Sequence, residues 1–204
     1  MDYSRLDLRS MFADGWALFR SRTGEFLIAG LVAAAVFALS AGILAGPALA
    51  WLLLTARRFS QNRLALPGET LFTVFRLQPI LAGIAWFAIA LLSHGIVVAA
   101  RTLPLGGLLA LALLALAPAP FWATAFVVFR GDTAWEAYVS LWNRIVRERF
   151  WIPYAVSFLP VLVFGIGAAL GGIGAILTAP IGACLFQKLY EQAFADEPDV
   201  EILP

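Results

Sequence analysis

Apolar residues in this chain come in four long blocks. No formal charge falls between Glu25 and Arg57, Arg76 and Arg101, Arg101 and Arg130, or Arg149 and Lys188, giving runs of 31, 24, 28 and 38 residues. A bilayer-crossing helix needs roughly 20 consecutive apolar residues, and a charge at its centre costs several kcal/mol, so every run predicts membrane segments. At about 1.5 Å per residue, the first run would reach about 46 Å as one helix and the last about 57 Å, against a hydrocarbon core of about 30 Å. Both must fold back. The breaks are expected between Ala41 and Pro47 and at Gly171-Gly172-Ile173-Gly174, where glycine permits a turn and proline suits a helix start. The predicted architecture is an all-α, polytopic membrane bundle of six spans, about 26–43, 47–60, 78–99, 104–129, 151–170 and 175–191.

Each predicted hairpin (about 26–60, 78–129 and 151–191) is preceded by a stretch with helical periodicity, about 5–22, 68–76 and 132–148. In the first, Leu8, Phe12, Trp16 and Phe19 recur once per turn; in the third, Trp135, Tyr138, Trp142 and Ile145 do so; the second is short, with Phe72 and Phe75. These read as interfacial amphipathic helices. Thr133 and Glu136 have the spacing of a capping box at the start of the third, and Pro67-Gly68-Glu69 could open the second. The unit of interfacial helix, outward span and return span recurs three times, with Trp16-Ala17-Leu18-Phe19-Arg20 resembling Phe72-Thr73-Val74-Phe75-Arg76, and Ile145-Val146-Arg147 a looser copy. The return helices are expected to begin near Gly46-Pro47, Ala119-Pro120 and Ala179-Pro180. Self-similarity of this kind marks duplicated units.

Charge supplies an independent check, because Lys and Arg in short loops set orientation. Six spans with both termini cytoplasmic put 13 of the 14 basic residues inside and only Arg101 outside. A four-span reading would give 6 inside and 8 outside. The second span is the shortest, and Arg57 and Arg58 at its end would have to snorkel unless the helix is short and buried among its neighbours.

Composition sharpens this picture. With 204 residues, 62% hydrophobic content and mean hydropathy +0.87, there is room for one membrane domain, residues 1–204, and no soluble one. A net charge of +1 offers no basic field for nucleic acid, and the lone Cys184 offers no disulfide framework. The N-terminal Met1-Asp2-Tyr3-Ser4-Arg5 lacks the basic region and immediate apolar core of a cleavable signal. Small size and Ala, Gly, Leu and Arg-rich usage fit a bacterial inner membrane.

Several stretches together resemble a known group. These are Trp16-x-x-Phe19-Arg20, the Gly46-Pro47 helix ending in Thr55-Ala56-Arg57-Arg58, Phe129-Arg130-Gly131-Asp132 leading into Trp135-Glu136-Ala137, and Gly171-Gly172-Ile173-Gly174 followed by Ala179-Pro180-Ile181. The chain resembles uncharacterised bacterial polytopic membrane proteins related to the membrane domain of some glycerophosphoryl diester phosphodiesterases. The resemblance covers nearly the whole chain and implies a fold, with no established activity or catalytic residues to carry over. The soluble phosphodiesterase domain of those relatives, with its His and metal-binding carboxylates, has no counterpart in the sequence.

Candidate chemistry is sparse. His94 lies in a charge-free run within a predicted span, away from the basic residues at span ends, which makes it a candidate for a proton or substrate role; the simpler reading is a neutral imidazole about two turns from the outer end near Arg101. One His without Cys, Asp or Glu at that depth is no metal site. Ser93 and His94 are adjacent, so they cannot face each other as nucleophile and base. Gly167-x-x-x-Gly171 puts small residues on one face, for packing within the bundle or between copies. The basic residues Arg20, Arg22, Arg57, Arg58, Arg130, Arg147 and Arg149 read first as topology determinants, and second as headgroup contacts beside interfacial Trp16, Trp51, Trp142 and Trp151. The acidic tail from Glu191 to Glu201 reads as a solvated end.

The expected function is therefore a non-catalytic membrane protein, without cofactor or metal, that binds membrane lipid, anionic lipid among the candidates, or a partner membrane protein, a second copy included. A transporter or channel for a small or amphipathic solute is the alternative. Pro-interrupted helices favour it; non-inverted hairpins and the lack of buried charge weigh against it.

Overall fold

The computed structural model describes residues 6–40, 42–63, 74–85, 88, 92, 112, 114–169 and 173–195. Among these there are eight helices and no strand: α1 (Leu8–Ser21), α2 (Thr23–Leu39), α3 (Ala45–Ser60), α4 (Ala119–Arg130), α5 (Ala134–Arg147), α6 (Trp151–Val156), α7 (Phe158–Ala169) and α8 (Ile173–Ala193), with a further helical run at 77–85. The expected all-α class stands. His94, Gly171, Pro67-Gly68-Glu69, most of the second interfacial stretch and most of the third span lie outside the described residues.

Three helices form the interior. Residues 46–56 of α3 and 120–129 of α4 are buried on every side, and α8 is buried along most of its C-terminal half. A helix apolar all round belongs in a core. Here α8 is the axis, packing against α1, α2, α3 and α7. Its Phe186 lies 4.7 Å from the ring of Trp122 on α4, which also meets Phe150 at 4.8 Å, and Tyr190 lies 4.9 Å from Phe129. Burial of these rings, with edge-on geometry adding to the area term, makes this cluster the mechanical centre of the molecule. Trp122 Nε1 donates to Ser157 Oγ at 3.0 Å, so the one polar atom of that buried side chain is satisfied.

The turn between α2 and α3 follows from Gly42, whose φ of 86° is the left-handed region that glycine enters without penalty; its N–H donates to Phe37 O at 2.9 Å. Thr133 and Glu136 form the expected capping box: Glu136 N donates to Thr133 Oγ1 at 3.3 Å and Thr133 N to Glu136 Oε2 at 2.9 Å.

Three expectations need correction. The stretch 104–129 is not one helix, because its described part turns at 115–118 and α4 begins at Ala119, where Pro118 and Pro120 favour a helix start over an interior. The stretch 151–170 is interrupted at Ser157, dividing it into α6 and α7. The last helix does not start at Ala179-Pro180; Pro180 sits inside α8, which begins at Ile173. Proline cannot donate to the carbonyl four residues back, and that carbonyl, Ile176 O, faces Gly30 of α2 so closely that a Cβ on Gly30 would lie 2.2 Å from it. The interior proline is accommodated because the neighbouring helix is glycine at the crossing.

No helix among the described residues is by itself long and apolar enough to cross a membrane. Two bent pairs reach that length and composition together: α1 with α2, bent by 92°, and α5 with α6–α7, bent by 114°. An amphipathic helix therefore stands roughly perpendicular to the apolar helix that follows it, at both places.

Candidate functional site

Charged side chains gather where α3, α4 and α8 end together. Arg57 and Arg58 close α3, Arg130 closes α4, and Arg144 and Arg147 lie in the last turn of α5, each favoured by the negative end of its helix dipole. The guanidinium groups lie on aromatic faces: Arg57 4.6 Å over Phe129, Arg22 4.8 Å over Phe59, Arg144 5.1 Å and Arg130 6.0 Å from Phe194, with Arg130 5.2 Å over Phe126. These contacts hold the basic end to the aromatic core, at up to about 2 kcal/mol where a pair is desolvated.

The seven candidate arginines consequently divide. Arg57 Nη1 donates to Phe129 O at 3.3 Å, Arg22 pairs with Glu25 at 3.2 Å and Arg130 with Asp132 at 3.8 Å, while Arg58 is half-buried and engaged. Burial raises the Asp132 carboxyl above its ordinary value, Arg130 opposes this, Glu136 adds to it and Arg144 opposes it. Arg20, Arg147 and Arg149 are exposed, and their guanidinium groups make no hydrogen bond or ion pair among the described residues. Trp16, Trp142 and Trp151 are exposed, but Trp51 is not interfacial; it is buried midway along α3, where all faces are covered. Gly167 is packed inside: a Cβ there would lie 1.7 Å from Thr178 Oγ1 and 2.9 Å from Ala175 Cα of α8.

A second correction concerns Glu191, which is not part of a solvated tail. Lys188 Nζ donates to Ser60 Oγ at 2.9 Å and to Glu191 Oε2 at 2.7 Å; Gln187 Nε2 donates to Glu191 Oε1 at 3.0 Å, and the Ser60 hydroxyl donates to the same oxygen. This network ties the end of α3 to α8. Ser60 and Glu191 are 131 positions apart, so no local pattern in the chain links them. Three buried polar atoms, Trp51 Nε1, Thr124 Oγ1 and Gln187 Oε1, have no hydrogen-bond partner among the described residues, one on each interior helix. No group of His, Cys, Asp or Glu that could hold a metal occurs among the described residues.

Beside the network lies an open groove of about 840 Å³ between the α1–α2 bend and the ends of α3 and α8. Asp14, Arg22, Glu25 and Lys188 supply two charges of each sign, with Ser60 and Asn62 between them. The signal for it was partly legible, as Asp14, Arg22 and Glu25 cluster in sequence; Lys188 arrives only through folding.

The two amphipathic helices show what faces outward. On α5, Ala134, Ala137 and Leu141 are buried, while Trp135, Val139, Trp142 and Val146, at helical spacing, form an exposed stripe, Trp135 being 78% and Trp142 65% accessible. On α1, Leu8, Phe12 and Trp16 are exposed, and Phe19, expected on the same stripe, is buried against Phe26. No protein-family model, curated protein or solved structure matches the chain significantly.

Proposed function

We propose that this chain is a non-catalytic integral membrane protein of three hairpins, six spans in all, each entered by an interfacial helix, and that its basic end binds lipid headgroups. The observation that carries this reading is the inverted dressing of α2. Its inward face carries buried Phe26 at the α1 end and, from there on, the small residues Ala29, Gly30 and Ala33, while its outward face is Leu27, Ile28, Leu31 and Phe37, with Ile28 60% and Leu31 55% accessible. In water such a helix would be turned the other way, since burying a Leu or Ile is worth about 1.5–3 kcal/mol. In lipid there is no such drive, and small residues at the contact allow close packing. The outward Leu162 and Ile166 of α7, opposite buried Gly167, follow the same rule.

The sharp bends support the interfacial role of α1 and α5: with α2 and α7 across the bilayer, helices turned by 92° and 114° lie near its plane, where exposed Trp is favoured. At about 1.5 Å per residue, α2 reaches about 26 Å and α3 about 24 Å, so the bilayer thins locally around them. The basic end is cytoplasmic by the positive-inside rule, in a bacterial inner membrane with both termini inside.

Mass spectrometry of lipids retained through mild detergent purification tests it. Replacing Arg20, Arg147 and Arg149 together by Gln should reduce retained anionic lipid more than tenfold without lowering the thermal midpoint, at about 1 kcal/mol per basic group. Equal retention would mean that these arginines set topology alone.

A further inference from the structure

The groove at the α1–α2 bend differs from the exposed arginines in carrying both signs of charge. Arg22 and Lys188 line it with Asp14 and Glu25. Arg22 and Lys188 already have carboxylate partners, Glu25 at 3.2 Å and Glu191 at 2.7 Å. Asp14 is exposed and has no partner among the described residues. A purely anionic ligand would therefore meet balanced cations and an uncompensated carboxylate. A ligand with a phosphate and an ammonium would satisfy both sides.

The first turn of α2 adds donors, because Thr23, Gly24 and Glu25 line the groove and the N-cap Arg22 provides no side-chain cap. Space is available: a Cβ on Gly24 would meet nothing within 4 Å. Aromatic recognition of a quaternary amine is poorly served, since the lining ring, Phe59, is buried and covered by Arg22 at 4.8 Å. A primary ammonium, with three N–H donors, suits the Asp14 carboxylate instead.

The groove also continues into an apolar track. Gly24, Ile28, Leu31, Ala35 and Leu39 recur at spacings of three or four on α2, and all are exposed. We propose that the groove holds the headgroup of a zwitterionic, primary-amine phospholipid, its phosphate toward Arg22 and Lys188, its ammonium at Asp14 and its acyl chains along the outer face of α2. This rests on the reading of the chain as a lipid-binding membrane protein.

The test uses the full-length protein in mild detergent, offered equal amounts of phosphatidylethanolamine, phosphatidylcholine and phosphatidylglycerol with identical chains, and counts retained lipid by native mass spectrometry. One phosphatidylethanolamine should be retained at least tenfold over either competitor. Asp14→Asn, at an exposed position, should abolish that preference while leaving phosphatidylglycerol adducts unchanged, and Gly24→Leu should block the site by filling open space. Glycerophosphoethanolamine, the soluble headgroup, should not displace the lipid at millimolar concentration. Equal retention of all three lipids, indifferent to Asp14→Asn, would overturn the groove assignment and leave lipid binding standing. Displacement by the soluble headgroup would overturn the lipid as occupant, and no retained lipid of any kind would remove both readings.

Discussion

Gly46 of α3 and Gly83 of the helical run 77–85 meet backbone to backbone: a Cβ on Gly83 would lie 2.2 Å from Gly46 N and 2.3 Å from Gly46 Cα. One on Gly46 would lie 2.0 Å from Pro79 O. Neither obstacle is a side chain that could rotate away, so relief requires the helices to separate. Gly83→Ala should cost more than the roughly 1–3 kcal/mol of ordinary overpacking, read as a lower midpoint in denaturant titration in detergent. An unchanged midpoint would mean that this crossing is not tightly packed.

Gly167 makes the corresponding contact between α7 and α8. Gly167→Leu should destabilise the monomer, because the added side chain must displace Ala175 backbone as well as the Thr178 hydroxyl. Size-exclusion chromatography with light scattering, alongside thermal unfolding, separates this from a dimer interface. A stable variant that had only lost a dimer would contradict the packing role.

The start of α5 predicts a pH response. The Thr133 backbone N–H, then its hydroxyl, holds the Glu136 carboxyl below the ordinary glutamate value, against a smaller opposing effect of desolvation. A lowered folded value contributes stability that is fully present above the unfolded value and is lost as pH falls through the folded one. Hydrogen exchange at the first turn of α5 should therefore accelerate on acidification below the ordinary glutamate range, and Thr133→Val should weaken that dependence. Exchange independent of pH in that window, after correction for intrinsic rates, would contradict it.

The exposed stripe on α5 makes a prediction about depth. Brominated phospholipids should quench Trp135 and Trp142 in reconstituted vesicles, most strongly when bromine lies high on the acyl chain, as expected for a helix at the headgroup boundary. Variants retaining only buried Trp122 should be quenched far less. Equal quenching of buried and exposed tryptophans would show that the stripe is not in contact with lipid.

Local signals were readable where a single element determines the outcome. Thr133 and Glu136 specify their cap, Gly42 specifies its turn, and the heptad-like recurrence in α1 and α5 specifies amphipathic helices at nearly the expected bounds. Helix limits were less readable in the apolar blocks, because a charge-free run such as 150–187 carries no charge to mark the interruption, and a single Ser157 is as compatible with a helix interior as with a break. Pro180 misled for a physical reason: proline usually starts a helix, and its place inside α8 depends on Gly30, 150 positions away. Long-range polar organisation was hidden too. Glu191 looks like the first residue of an acidic tail until Ser60 and Lys188 fold onto it, and the arginines look equivalent until Phe129, Glu25 and Asp132 claim three of them.

The most direct test of the three-hairpin membrane arrangement is the sidedness of its connections. Single cysteines are introduced at Asn62, Asp132 and Thr102 in a Cys184→Ala background and treated in intact cells with a membrane-impermeant thiol reagent. Thr102→Cys should label at once, and Asn62→Cys and Asp132→Cys only after the membrane is permeabilised. Labelling of Asn62→Cys in intact cells as readily as Thr102→Cys would contradict the account, because α2 and α3 could not then return the chain to the side from which it entered.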